Sequence, residues 1–491
     1  MSAQWMNPRG LAERIVVKGR LTLETPAHFG NGDGDGLLDM PLHLDPLEGK
    51  ALIAGASLAG ALRNYSCQRE PDITQRLFGD VYDDRESDRV VRRGRSEESM
   101  VIIDDALGPK PIVELRDGVA INPATRTAAD KMKFDIELLA AETTFDLSFE
   151  LMVPAGNNQK ELVAAFAYAL QGLESGNISL GKRKRRGFGR CSAGDWQVER
   201  FDMTTTEGML EWLRYDAAAE KEPSKGDSIC QLLDVDAAFL RVPVCTITAT
   251  CLIDGSLLVR STPSSNDSPD AVHLRSRRNG ENVPVLSGTS LAGALRARAL
   301  RIGNTLSSEP EYGYHLVDDL FGYRPKDKGD KNPMTASRVW VEEMEIKNPL
   351  DLVHTRVKID RFTGGAYPGA LFSEQPVFGK LDTCVQVKYA LTDDIERDSG
   401  TAQEKEALTK QDIGLLLLLL KDLWIGDLPL GGEISIGRGR LRGESATIEI
   451  GGKQWTIQNN HDKGELGELV IEGGEQDELE KYVQAFVESA A

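Results

Sequence analysis

Apolar and polar residues alternate from Arg14 to Thr25, from Phe145 to Val153 and from Val244 to Ile253. Alternation with period two is the signature of strands that bury one face. Two longer stretches, Lys160 to Leu173 and Lys410 to Leu423, place apolar residues at helical spacing and predict amphipathic helices. Ser57 and Ser290 stand ahead of leucines four apart, Leu58 with Leu62 and Leu291 with Leu295, and read as helix starts with serine as N-cap. A shorter helix is expected around Met209 to Tyr215, inside a polar, charged stretch.

These elements come in two sets because the sequence repeats itself. Gly55-Ala-Ser-Leu-Ala-Gly-Ala-Leu-Arg63 recurs as Gly288-Thr-Ser-Leu-Ala-Gly-Ala-Leu-Arg296, with Ala56 against Thr289 as the one difference. Further landmarks follow in the same order. Leu77-Phe78-Gly79 is answered by Leu320-Phe321-Gly322, and the strand-like Ser99 to Asp104 by Ser337 to Glu342. Gly118 to Asn122 is answered by Arg356 to Asp360, and Leu180-Gly181 with Gly187 to Arg190 by Leu430-Gly431 with Gly437 to Arg440. A series that keeps its order and near-constant spacing marks a tandem duplication. We read a first domain over residues 1–202, a polar linker over 203–240, and a second domain over 241–491 that ends in an acidic tail. Strand, helix, strands, helix, strand within each copy is the order of an α+β, ferredoxin-like (RRM-like) domain.

Composition excludes more than it assigns. The 491 residues leave room for about two to four domains of ~150 residues. Apolar content of 40% and charged content of 27% are ordinary for chains that build cores. No run approaches the roughly 20 apolar residues of a membrane span, and Met1 to Val17 lacks the order of a signal peptide. A cytoplasmic location with no membrane partner is the expectation. The six cysteines form no C-x-x-C pair and argue against a disulfide framework or a zinc site. The net charge of −19 runs against nucleic-acid binding. However, much of the acidity lies between Glu465 and Glu488, a solvated helix face, while cations bunch at Arg89 to Arg95, Lys182 to Arg190 and Arg275 to Arg278. A groove feels the local field more than the total.

The Gly-rich segment from Leu180 to Arg190 is the strongest chemical signal. Its glycines allow close approach to a phosphate, and Lys182, Arg183, Lys184, Arg185 and Arg186 run consecutively, with Arg190 beyond. Phe188 offers a ring for base stacking. The second copy keeps the glycines and retains Arg438 and Arg440, but loses most of the charge. The helix starts at Ser57 and Ser290 offer free amides to a phosphate as well as ordinary close packing. Gly176 to Lys182 has Walker A spacing, but Arg183 stands where Ser or Thr is needed and a helix precedes it. Asn31 to Gly36 opens like an EF-hand loop, but its twelfth position is Leu42. No nucleotide or calcium site is expected from either.

As an ordered set these motifs resemble the RAMP superfamily, specifically the backbone subunit of type III (Csm- or Cmr-type) CRISPR effector complexes. The matching residues are Thr25 to Gly30, Leu38 to Pro46, Gly55 to Arg63, Gly118 to Asn122 and Gly187 to Arg190. Thr262-Pro263, Gly288 to Arg296, Val357 to Gly365 and Gly437 to Arg440 match in the second copy. The resemblance implies a double backbone subunit, of the fused type III-D-like form, that holds a CRISPR guide RNA while base pairing selects the complementary target RNA. It implies neighbouring type III subunits as partners. It places inserted thumb β-hairpins at Val119 to Phe134 and Val357 to Phe372, and RNA contacts at His28, Ser57, Arg63, Ser290, Arg296 and the two Gly-rich loops. It further implies a metal-dependent endoribonuclease (Mg2+ or Mn2+), with Asp39 as catalytic and metal-binding aspartate. The second copy departs from the pattern between Ser264 and Pro269, and there Asp270, or alternatively Asp267, stands nearest the Asp39 equivalent. Two rivals stay open: a guide-holding subunit that does not cut, and a metal-independent guide-processing nuclease using His28 or His43. No cofactor fingerprint supports a small-molecule enzyme.

Overall fold

The computed structural model describes residues 10–490 except 31, 33–38, 68–70, 80–97, 123–124, 157, 217–226, 237–243, 263–267, 326–333, 380–382, 393–401 and 460–468. Arg89 to Arg95, Asp267 and most of Asn31 to Gly36 therefore lie outside the described residues. Backbone proximity divides the chain into two compact units. One comprises Met1–Leu115, Glu137–Lys184 and Phe188–Arg241; the other comprises Arg116–Ile136, Arg185–Gly187 and Val242–Ala491.

In the first half of the chain the main strands are β1 (Leu11–Leu23), β2 (Val101–Ile103), β3 (Val113–Ile121), β4 (Ala128–Leu139), β5 (Thr144–Pro154) and β6 (Cys191–Asp202). The helices are α1 (Gly55–Cys67), α2 (Pro71–Phe78) and α3 (Gln159–Glu174). The sheet runs β2-β5-β1-β6, the ferredoxin-like order, with β1 antiparallel to both neighbours. The alternation in β1 sends Ile15, Val17, Leu21 and Leu23 into a core with Leu58 and Leu62 of α1 and Phe166, Leu170 and Leu173 of α3. β3 and β4 stand apart as a two-stranded hairpin.

The second half repeats the plan with β7 (Cys245–Asp254), β8 (Ala271–His273), β9 (Met344–Lys347), β10 (His354–Ile359), β11 (Ala366–Gln375), β12 (Cys384–Leu391) and β13 (Arg440–Ile450). The order β9-β12-β7-β13 matches the first sheet, and β14 (Lys453–Asn459) and β15 (Leu469–Glu472) extend its edge. Helices α6 (Gly288–Leu306), α7 (Tyr312–Phe321) and α8 (Ala402–Trp424) pack Leu291, Leu295, Leu416 and Leu420 against Ile247, Ala249 and Cys251 of β7. β10 and β11 form the second hairpin. Both halves are thus α+β, as expected.

Three local readings shift. Ser57 and Ser290 are not N-caps but lie two residues inside their helices. The cap of α6 is Ser287, whose hydroxyl accepts the Ser290 amide at 3.3 Å. At α1 the Ala54 side chain offers no acceptor, and the Gly55 amide donates to the Asp105 carboxylate at 2.7 Å. The stretch read as linker carries two helices, α4 (Thr206–Arg214) and α5 (Ile229–Leu232). Ile229, Cys230 and Leu233 enter the first core, and Glu174 accepts both the Trp196 indole and the Ile229 amide beside them. The C-terminal helix α9 (Gln476–Ala490) is acidic outside but buries Leu479 and Phe486. Gly414 of α8 lets the Tyr482 carbonyl approach where a Cβ would collide with it.

Candidate functional site

Each Gly-rich loop is stitched to the end of the first strand of its own unit by the same backbone hydrogen bonds. Leu180 donates to Gly189, Gly189 to Pro26 and Lys182 to His28; correspondingly, Leu430 donates to Gly439, Gly439 to Ser256 and Gly432 to Leu258, all between 2.7 and 3.0 Å. The glycines follow from this path. Gly189 (φ +70°) and Gly439 (φ +80°) lie in the left-handed region, and a Cβ at either would strike the carbonyl of Leu180 or Leu430. The same path matches His28 to Leu258, Arg183 to Glu433 and Phe188 to Arg438. Phe188 is a correction: it is 2% exposed, a buried anchor for the loop, and presents no ring to a base.

The two aspartates also occupy matching places. Asp39 is exposed, and the next residue, Met40, accepts the amide of Glu137 in β4 through its carbonyl (3.1 Å) and the Lys182 ammonium through its sulfur (3.2 Å). Asp270 is exposed, and Ala271 after it pairs with Glu374 of β11. Its Oδ2 accepts the amide (2.7 Å) and hydroxyl (3.0 Å) of Ser373, which hold its carboxyl below the usual range. Each aspartate thus immediately precedes a residue bonded to the second hairpin strand.

The hairpins close alike. The Asn122 amide donates to Thr127 and the Arg126 amide to Asn122; the Asp360 amide donates to Gly365 and the Gly364 amide to Asp360. They expose apolar side chains that an isolated domain would bury: Val119, Ile121 and Met132 on one, Val357, Ile359 and Leu371 on the other, with Phe362 98% exposed at the tip.

Other side chains with expected RNA roles have structural partners. Arg63 donates to the carbonyls of Phe78 and Gly79 at the end of α2, and Arg296 to those of Val317 and Gly322 about α7. That explains why the arginine closing the first repeated motif and the Leu-Phe-Gly of the second recur together: one caps the other. His28 is 3% exposed; its Nδ1 meets the Glu137 carbonyl at 2.8 Å, and burial lowers its pKa, helped by Lys182 and Arg183. It holds the loop to β4 rather than facing a ligand. Arg185 bonds the Ser337 carbonyl and the Thr392 hydroxyl and lies over the Trp340 ring, all within the second unit. Lys182 is exposed, Arg183 and Lys184 are half-buried, and Arg186 is exposed. Arg190 pairs with Glu24 at 3.0 Å. Arg440 is exposed at the start of β13.

Arg438 lies deep in an ion network that the sequence reading missed: it pairs with Glu374 and Glu433, which also engage Arg356, while Arg260 bonds Glu433. The signal available was the alignment of the loops, which reverses charge at Arg183 and Glu433. Among the described residues no cluster of three or more His, Cys, Asp or Glu could hold a metal ion, and no helix is long and apolar enough to cross a membrane.

The RAMP superfamily model matches this chain twice, over residues 20–192 and 255–442. No curated protein matches the chain.

Proposed function

We propose, from the premise that the chain belongs to the RAMP superfamily, that it is a double backbone subunit of a type III CRISPR ribonucleoprotein. In this reading it holds a guide RNA and cleaves the complementary target RNA at two points. One observation carries it: in each repeat an exposed aspartate, Asp39 or Asp270, precedes a residue bonded to the second strand of a hairpin with exposed apolar side chains, and the Gly-rich loop reaches the same place through Lys182 to Met40 or Arg438 to Glu374. Such hairpins are suited to wedging against bases, and the loops to approaching a phosphate backbone. The exposed cations of the first Gly-rich loop, Lys182 and Arg186, supply a local positive field despite the net charge of −19.

The chemistry asks little of the protein. A ribose 2′-oxygen attacks the adjacent phosphorus, the bond to the 5′-oxygen breaks, and a 2′,3′-cyclic phosphate and a 5′-hydroxyl result. The hairpin supplies the in-line geometry by splaying a nucleotide. Asp39 or Asp270 accepts the 2′-proton, and water returns one to the leaving oxygen. A hard divalent cation such as Mg2+ or Mn2+ is ordinarily held by one or two carboxylates plus substrate phosphates. A single aspartate per repeat fits such a substrate-completed site and does not fit an all-protein cage. When bound, the ion would offset charge developing on the phosphate.

The test is the assembled ribonucleoprotein with labelled complementary RNA and Mg2+, comparing wild type with Asp39→Ala, Asp270→Ala and the double variant. Each single variant should lose one distinct cleavage band. Persistence of all bands in the double variant would make the chain a guide-holding scaffold.

A further inference from the structure

The network around Arg438 has the makings of a ligand site. Arg260, Arg356 and Arg438 converge on two carboxylates, so three cations face two anions. The two anions differ in kind. Glu374 is fully buried on β11, and its Oε2 has no hydrogen-bond partner. Glu433 sits at the tip of the Gly-rich loop, in the left-handed backbone region at φ 63° without being glycine. That conformation is unfavourable for a residue with a Cβ, and its carboxylate is what holds it there: Oε1 meets Arg260 at 2.9 Å and Oε2 meets Arg356. Arg438 is 5% exposed, and its Nη1 is buried with no hydrogen-bond partner.

Planar guanidinium forks match phosphate as well as carboxylate. If the Glu433 side chain swings out, the three arginines keep one buried counter-charge and present an excess of two positive charges toward the loop. The first repeat shows the alternative at the same backbone position: Arg183, also left-handed at φ 59°, puts a cation there.

We propose that Arg260, Arg356 and Arg438 form a phosphate-binding site that Glu433 occupies in the ligand-free chain. Glu433 is a built-in carboxylate surrogate for a phosphate, so the second loop engages RNA only by displacing it, whereas the first loop carries a cation at the matching position. This rests on the RNA-binding reading for the identity of the phosphate, not for the existence of the site.

The experiment uses the full chain with Glu433→Gln and Glu433→Asn, asparagine being at ease in the left-handed region. Affinity for a fluorescent single-stranded RNA is measured across salt, and thermal stabilisation by inorganic phosphate is measured at constant ionic strength. Both variants should bind RNA on the order of tenfold tighter than wild type, the scale of one charge-assisted hydrogen bond gained. Their salt dependence should steepen by about 0.7, the increment for one phosphate on a single strand. Phosphate should stabilise them more than wild type, and Arg356→Gln added to Glu433→Asn should abolish the gain. Phosphate stabilisation of the variants without RNA binding by any form would uphold the anion site and overturn the RNA reading. Unchanged RNA and phosphate binding in folded variants would overturn the site, leaving the RNA reading to wild-type binding. Failure of both variants to fold would also overturn it, since a carboxylate that cannot leave is not displaceable.

Discussion

Acid should loosen the second repeat through one histidine. His273, in β8 three residues beyond Asp270, is 4% exposed. Its Nδ1 lies 3.2 Å from the Val259 amide and 3.1 Å from the Leu257 carbonyl, and its Nε2 lies 3.1 Å from the Val285 carbonyl; a neutral ring protonated at Nε2 donates to Val285 and accepts from Val259. Burial pushes its pKa from 6.5 to about 4, against opposing pulls from the Val285 and Leu257 carbonyls; Arg275 lowers it further and Asp351 raises it. Above pH 6.5 the ring is neutral whether folded or unfolded, so the stability of the neutral site is fully present. Between 6.5 and about 4 the unfolded chain takes a proton that the folded chain refuses, so stability falls as pH falls. The shift amounts to about 3 kcal/mol once pH is below both values, of which about 2 kcal/mol is lost by pH 5.

The comparison is His273→Gln, which keeps a donor and an acceptor but does not titrate. Urea unfolding of both chains, followed by hydrogen exchange in peptides spanning β7 and β8, gives the difference of interest. Wild type should lose about 2 kcal/mol more than the variant between pH 7.5 and pH 5, a difference that cancels groups common to both. Equal losses in the two chains, or a wild type that gains stability toward acid, would refute the reasoning. The consequence reaches the candidate site, because β8 positions Asp270.

Two substitutions separate structural roles from ligand-binding ones. Gly439→Ala forces a Cβ into the Leu430 carbonyl at φ +80° and should cost about 2 kcal/mol or more, read as a lower unfolding midpoint of the second unit. Arg296→Ala leaves the Val317 and Gly322 carbonyls and the Asp318 carboxylate without their guanidinium; it should cost about 1–3 kcal/mol in urea unfolding while leaving RNA affinity unchanged. A large affinity loss at unchanged stability would return Arg296 to the RNA-facing set.

Much of the fold was legible because it rests on periodicity and on short-range chemistry. The alternation in β1 and β7 and the leucine spacing of α1 and α6 follow from which face each element buries. The duplicated order then placed them on two ferredoxin-like sheets. The serine caps were misread because Ser57 and Ser290 repeat while the capping group does not: Ser287 does the work in one copy and Asp105, fifty residues downstream in the chain, in the other. What sequence reading could not reach is pairing through space. The basic loop looked uniformly RNA-facing, yet Arg185 and Arg190 have partners far along the chain, and the arginines of the repeated motif cap helices.

The duplication itself supplies a control. What recurs between the copies, the left-handed glycines, the arginine that caps the next helix and the bonds from loop to first strand, is what builds the backbone path. What differs at matching positions is chemistry carried on that path: Arg183 against Glu433, Phe188 against Arg438, Leu42 against His273. In each pair the second repeat places an acidic, basic or titratable group where the first has a cation or an apolar side chain. The second repeat therefore buries Arg438 and His273, whose contributions depend on counter-charge and pH, where the first repeat buries the apolar Phe188 and Leu42. The two halves of one chain should consequently respond differently to acid and to anions, and that asymmetry is measurable within a single polypeptide where expression, length and solvent are shared.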